Sequence, residues 1–148
     1  MLNITRCYMY TMFVPFVISA LMLMSPVASA VGLYDSYECE VKSIRKLGQD
    51  GSMPGTVEFP YLSEDLGAKF VIDRDTGRML GSLKNYDWGQ QPKVVDRGSK
   101  EQAFKVITIF GPPVNIAYLQ VGLFYSSLEK PFLYIKNTDI YAGLCTGL

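Results

Sequence analysis

"FVIDRDTGRMLGSL", residues 70–83, decides how the chain is to be read. Asp73 and Asp75 stand two apart and Gly77 follows, so the stretch is either an acidic cation loop or the turn of a hairpin. A calcium loop of the EF-hand type starts D-x-[DN]-x-[DN]-G and needs a glutamate further on. Here the third acidic position is Gly77, no glutamate follows at the required spacing, and Arg74 sets a positive charge between the two carboxylates. A hairpin accounts for every residue. "KFVID" runs in with Phe70 and Ile72 alternating against Lys69 and Asp73. "RDTG" turns and "RMLGSL" runs back. Glycine reaches the left-handed backbone region such turns use, and Asp and Thr supply turn hydrogen bonds. The stretch is therefore expected to be a hairpin with no metal.

The same alternation continues on both sides. Tyr37, Cys39 and Val41 alternate with Glu38, Glu40 and Lys42, which is a half-buried strand with Cys39 facing in. "PKVVD" (92–96) is a short strand. Ala103–Phe110 is apolar on both faces, and Ile116–Tyr125 is a long aromatic and β-branched run. "PFLYIKN" and "DIYAGLC" are joined by Lys136-Asn137-Thr138-Asp139, which suits a tight turn. Helical signals are thin: "LSEDLG" (62–67) could make one turn capped by Ser63, and "GSKEQAF" carries Ser99 and Gln102 at capping-box spacing. Residues 48–60 hold Gly48, Gly51, Pro54 and Gly55 and are expected to be loose. Seven or eight short strands predict an all-β domain, an antiparallel barrel or a sandwich.

The N-terminus is different. Arg6 is the only charge in Met1–Ser29, Tyr8–Met24 is almost wholly apolar, and "SPVASA" follows with Ala28-x-Ala30. A positive start, an apolar middle and small-x-small residues make a signal peptide over 1–30, leaving one β domain over 31–148. Pro15 interrupts an apolar run already short for a membrane span. Cys39 follows the bulky, polar "YDSYE", which argues against a lipid anchor, so no membrane anchor is expected after cleavage. The location is then periplasmic or secreted.

Of three cysteines, Cys7 lies in the signal segment. Cys39 and Cys145 remain, and an even pair in an exported chain reads as a disulfide. Such a bond joins the first strand to the last, which favours the barrel over the sandwich because a closed up-and-down barrel sets those strands side by side.

Composition excludes several chemistries. The whole chain is neutral, and losing Arg6 leaves 13 basic against 14 acidic residues, a net charge of −1. No basic run exists to meet phosphates, so nucleic acid is not an expected partner. The chain has no histidine, so triads built on imidazole and zinc sites with histidine ligands are ruled out. No cofactor is expected and no catalytic residue stands out. What remains is a loop, "KNYDWGQQP" (84–92), where Tyr86, Asp87 and Trp88 sit in a polar, non-alternating run. Aromatics in that setting anchor a protein partner or stack on a sugar, unless Trp88 folds back to cover one end of the barrel. The plan is similar in architecture to small exported β proteins such as lysozyme inhibitors and calycin-like barrels, a likeness of plan that carries no residue with it. The expected function is a non-enzymatic cell-envelope protein that binds another protein through loops. Alternatives are a barrel holding an apolar small molecule and a small carboxylate-dependent hydrolase.

Overall fold

The computed structural model describes residues 33–55, 59–86 and 90–148. The expected signal peptide lies outside them. Eight strands follow in order: β1 (Ser36–Lys46), β2 (Lys69–Asp73), β3 (Met79–Gly81), β4 (Lys93–Arg97), β5 (Phe104–Phe110), β6 (Asn115–Val121), β7 (Lys130–Lys136) and β8 (Asp139–Gly147). They form one antiparallel sheet in the order β3-β2-β1-β8-β7-β6-β5-β4. A single curled sheet excludes the sandwich. It is an up-and-down arrangement in which each strand pairs with its neighbours in sequence and β1 pairs with β8. The one neighbouring pair that does not form is β3 with β4.

Cys39 stands directly opposite Cys145 across β1 and β8, and the two are bonded, with Cα atoms 3.9 Å apart. This is closer than most disulfides allow, and the ladder explains it. Val41 exchanges hydrogen bonds with the β2 side, its N–H to Ala68 and its C=O from Gly67. Cys39, two residues back, therefore also turns its backbone groups to β2. Towards β8 it sits in a narrow, non-hydrogen-bonded pair, where Cα atoms approach most closely. Both cysteines are wholly buried.

The inner face follows the alternation. Tyr37, Val41, Phe70, Ile72, Met79, Phe104, Val106, Leu119, Val121, Phe132 and Tyr134 are all buried. Phe70 and Phe132 meet edge to face at 5.2 Å, β2 to β7 across the two intervening strands. Burying such apolar surface is the main term that holds a small domain together. The two-sided apolar reading of β5 also holds: Phe104, Val106 and Thr108 point in, while Ile107 and Ile109 lie on the outer face.

Four local readings need correction. The run 116–125 is a strand only to Val121. Gly122 then turns, its N–H bonding Pro131 C=O, with the Tyr125 ring where a Cβ would stand. Lys130 is 4% exposed on the inner face of β7 and donates from Nζ to Tyr125 C=O. Residues 99–102 form a turn and not a helix: Ser99 N–H donates forward to Gln102 C=O, the reverse of the helical direction, while Ser99 Oγ accepts from Glu101 N–H. Residues 48–54 are tied down rather than loose. Asp50 Oδ1 accepts from Ser52 N–H and Oγ, Lys46 N–H bonds Pro54 C=O, and Arg45 reaches Met53 C=O. The segment at 62–67 is a short 3-10 helix, Pro60–Asp65, whose Ser63 hydroxyl bonds back to Pro60 C=O rather than capping. The Asn137 turn is as expected, with φ 56°.

Candidate functional site

The site is the seam between β3 and β4, and the 70–83 stretch builds one side of it. Asp73 Oδ1 accepts from both the N–H and the hydroxyl of Thr76, each at 2.7 Å. Those two bonds, the backbone one first, hold its carboxyl below the usual aspartate range. Gly77 has φ +73°, and a Cβ there would stand 2.8 Å from Val106 and 3.2 Å from Val94. The turn therefore presses its backbone onto β4 and β5, and glycine serves both the turn and the close approach.

Three arginines cross or line the seam. Arg74, placed between the aspartates, donates from Nε to Arg97 C=O at 2.8 Å and from Nη2 to Gly98 C=O at 3.1 Å. It ties the turn of one sheet edge to the end of the other. Arg97 returns the contact, with Nη1 2.7 Å from Asp75 Oδ1. Both members of that pair are largely exposed, so it adds at most about 1 kcal/mol. Arg78 lies over the Tyr86 ring, with Cζ 4.4 Å from the centroid. Its Nε is buried with no hydrogen-bond partner.

Between these walls runs a groove of about 530 Å³, lined by Asp75, Thr76 and Arg78 on one side and Gln91, Pro92, Val94, Val95 and Arg97 on the other. The groove is open to solvent along β4, where Val95 is 56% exposed.

The connection expected to be an exposed loop begins buried. Leu83 is 7% and Asn85 1% exposed. Arg78 C=O accepts from Asp73 N–H across the hairpin, so the backbone groups of its neighbours face the other way, into the seam. Asn85 meets them. Its Oδ1 accepts from Met79 N–H at 2.9 Å and its Nδ2 donates to Gly77 C=O at 2.7 Å. The side-chain amide thus takes the place of a partner strand on the free edge of β3. Lys84 C=O accepts from the Tyr134 hydroxyl in the interior, and Gln90 Nε2 reaches Gly111 C=O at the β5–β6 turn.

Of the predicted binding residues, Tyr86 is half-buried beneath Arg78 at this seam. Asp87 and Trp88 lie outside the described residues. Arg74, Arg78 and Asn85 were not singled out from sequence. Asn85 did leave a signal, because Leu83 and Asn85 continue a two-residue inward alternation around Lys84. Asp73 and Asp75, weighed as a cation loop, are engaged by Thr76 and Arg97 respectively. Among the described residues no three side chains of metal-ligating type come together, and no helix is long and apolar enough to cross a membrane. The arrangement offers hydrogen-bond donors, two guanidinium groups and apolar side chains. Comparison with protein-family models, curated proteins and solved structures returned no match.

Proposed function

We propose that the protein is a non-enzymatic binding protein of an extracytoplasmic compartment, periplasmic or secreted, that engages another protein at the β3–β4 seam. The groove between two unpaired sheet edges carries this reading. It brings arginine and tyrosine, residue types enriched at the hot spots of protein interfaces, next to an exposed valine. Tyr86, which Arg78 covers, stands at this seam and is followed in sequence by Asp87 and Trp88. The buried Cys39–Cys145 bond is consistent with an oxidising compartment. The rival readings draw less from the geometry. The inner face is occupied by Phe70, Phe132, Tyr134 and Tyr141, and the volume lies at the seam among charged side chains. Among the described residues the groove presents one carboxylate, Asp75, facing Arg97, where two-acid hydrolysis needs a second.

Site-specific photo-crosslinking in the producing cell tests this. A photoreactive residue at Val95 is expected to give a discrete adduct with a second protein. The same residue at Thr146, exposed on β8, is not. No adduct at Val95, or the same adducts from both positions, would overturn the reading.

A further inference from the structure

We propose that the seam groove receives a carboxylate side chain from an extended acidic segment of its protein partner, with Arg78 as the cation that takes it. This rests on the protein-binding reading above and names the chemistry the partner must bring.

The inference comes from accounting for the charges at the seam. Arg74 is engaged by the carbonyls of Arg97 and Gly98. Arg97 is paired with Asp75. Asp73 gives Oδ1 to Thr76. Neither Arg74 nor Arg78 has a carboxylate within ion-pair distance among the described residues, but Arg74 is engaged by those two carbonyls, whereas Arg78 Nε meets no acceptor. An arginine held over an aromatic ring is restrained and partly dehydrated, so less freedom is lost when it forms a two-pronged bond to a carboxylate. Among the described lining residues, with Asp75 set against Arg97, one positive charge is left, on Arg78. A carboxylate is the group that neutralises it.

The rest of the lining selects for polypeptide rather than a free acid. Pro92, Val94 and Val95 form an apolar wall across the groove from Arg78. In an extended chain, residues two apart face the same side, roughly 6.8 Å from one another. A segment with an acid at one position and a small apolar residue two away can place one against Arg78 and the other on the valines. Asn85 already fills the free edge of β3. The occupant is therefore recognised by side chains, not as a strand added to that edge.

The probe is the acetylated, amidated pentapeptide Ala-Val-Ala-Glu-Ala, with its glutamine isostere Ala-Val-Ala-Gln-Ala and sodium acetate as comparisons. Each is titrated into the purified, disulfide-bonded protein while ¹⁵N–¹H spectra follow the Arg78 Nε–H and the Thr76, Val94 and Val95 amides. The glutamate peptide is expected to shift these signals saturably at millimolar concentration, and the glutamine peptide to bind at least tenfold more weakly. Arg78→Gln is expected to abolish the preference, with distant resonances unmoved. Equal binding of the two peptides to the parent protein overturns the proposal, and that contrast needs no variant to fold. A glutamate preference that survives Arg78→Gln overturns it too. Acetate binding as tightly as the glutamate peptide overturns the polypeptide assignment. The two levels fail separately. A Val95 crosslink with no glutamate preference removes the acid recognition and keeps the partner. A glutamate preference with no crosslink does the reverse.

Discussion

Asn85 illustrates what a single residue does in this fold. It is polar, it lies between strands, and it is 1% exposed. Its two hydrogen bonds satisfy Met79 N–H and Gly77 C=O, which would otherwise be buried without partners. Each such orphan costs about 1–3 kcal/mol. Asn85→Ala is expected to lower unfolding free energy by about 2–4 kcal/mol, measured by urea denaturation, whereas Lys84→Ala beside it should change little because Lys84 contributes only its backbone carbonyl. Equal effects of the two would remove Asn85 from its edge-capping role. The tyrosines make a second residue-scale prediction. Burial raises the phenols of both Tyr134 and Tyr141 above their ordinary value, in Tyr141 with help from the nearby Asp65 carboxylate. The unfolded chain ionises first as pH passes about 10, so the contribution of these groups is full below that pH and lost above it. Stability should fall by about 1.4 kcal/mol per pH unit for each tyrosine in that range. Tyr134→Phe, measured by denaturation at a series of pH values, should remove one share of that slope and cost about 1 kcal/mol at neutral pH for the lost bond to Lys84 C=O. Aromatic burial was legible here, since Tyr134 and Tyr141 alternate inward in their strands. The destination of an amide in a connection was not, because Asn is as common in open turns as in buried ones.

At the scale of the element, the β2–β3 hairpin shows how a turn can hold two sheet edges together. The sequence supported the turn itself, since Asp, Thr and Gly in that order favour it. It did not reveal that the turn leans on β4 and β5 or that Arg74 reaches across. Those contacts depend on how far the sheet curls, which no local pattern encodes. Gly77→Ala tests the packing. It asks an L residue to hold φ +73° and sets a methyl carbon 2.8 Å from Val106, so a loss of about 2–4 kcal/mol is expected from left-handed strain with overpacking. Gly51, also at positive φ but with open space around it, should lose less on the same substitution. If Gly51→Ala proves as costly as Gly77→Ala, packing at the turn is not the cause. The carboxylates carry the complementary test. Asp73 is engaged by Thr76 and Asp75 by an exposed arginine. Millimolar calcium is therefore expected to leave the melting temperature unchanged. A rise of several degrees, lost in Asp75→Ala, would reinstate the cation loop, since a ligand at 100 times its dissociation constant adds about 2.7 kcal/mol.

For the whole molecule, the disulfide decides where the sheet can and cannot open. Cys39 and Cys145 suggested that first and last strands are neighbours, and they are. The same logic placed closure at that pair, yet β1 and β8 are the third and fourth strands of the sheet and the unpaired position is β3–β4. Strand β3 has only three residues, too few to form a ladder with β4 while Asn85 holds its free edge. A pairing that fails because one strand is short and its edge already capped leaves no periodicity to read. The bond spans 106 residues of sequence, so in the chain-entropy model it stabilises by about 4–5 kcal/mol, chiefly by restricting the unfolded chain. Replacing Cys39 and Cys145 together with alanine is expected to lower stability by about that much in denaturant titrations. The bond also stands away from the seam, two strands from β3 and four from β4. The double variant, while folded, should therefore retain the Val95 crosslink and the glutamate-peptide shifts. Free thiols in the unreduced, denatured parent would contradict the bond. Loss of groove binding in a variant that still shows native-like strand content would mean that the bonded pair sets the curl of the sheet, and through it the distance between the two walls that Arg74 spans.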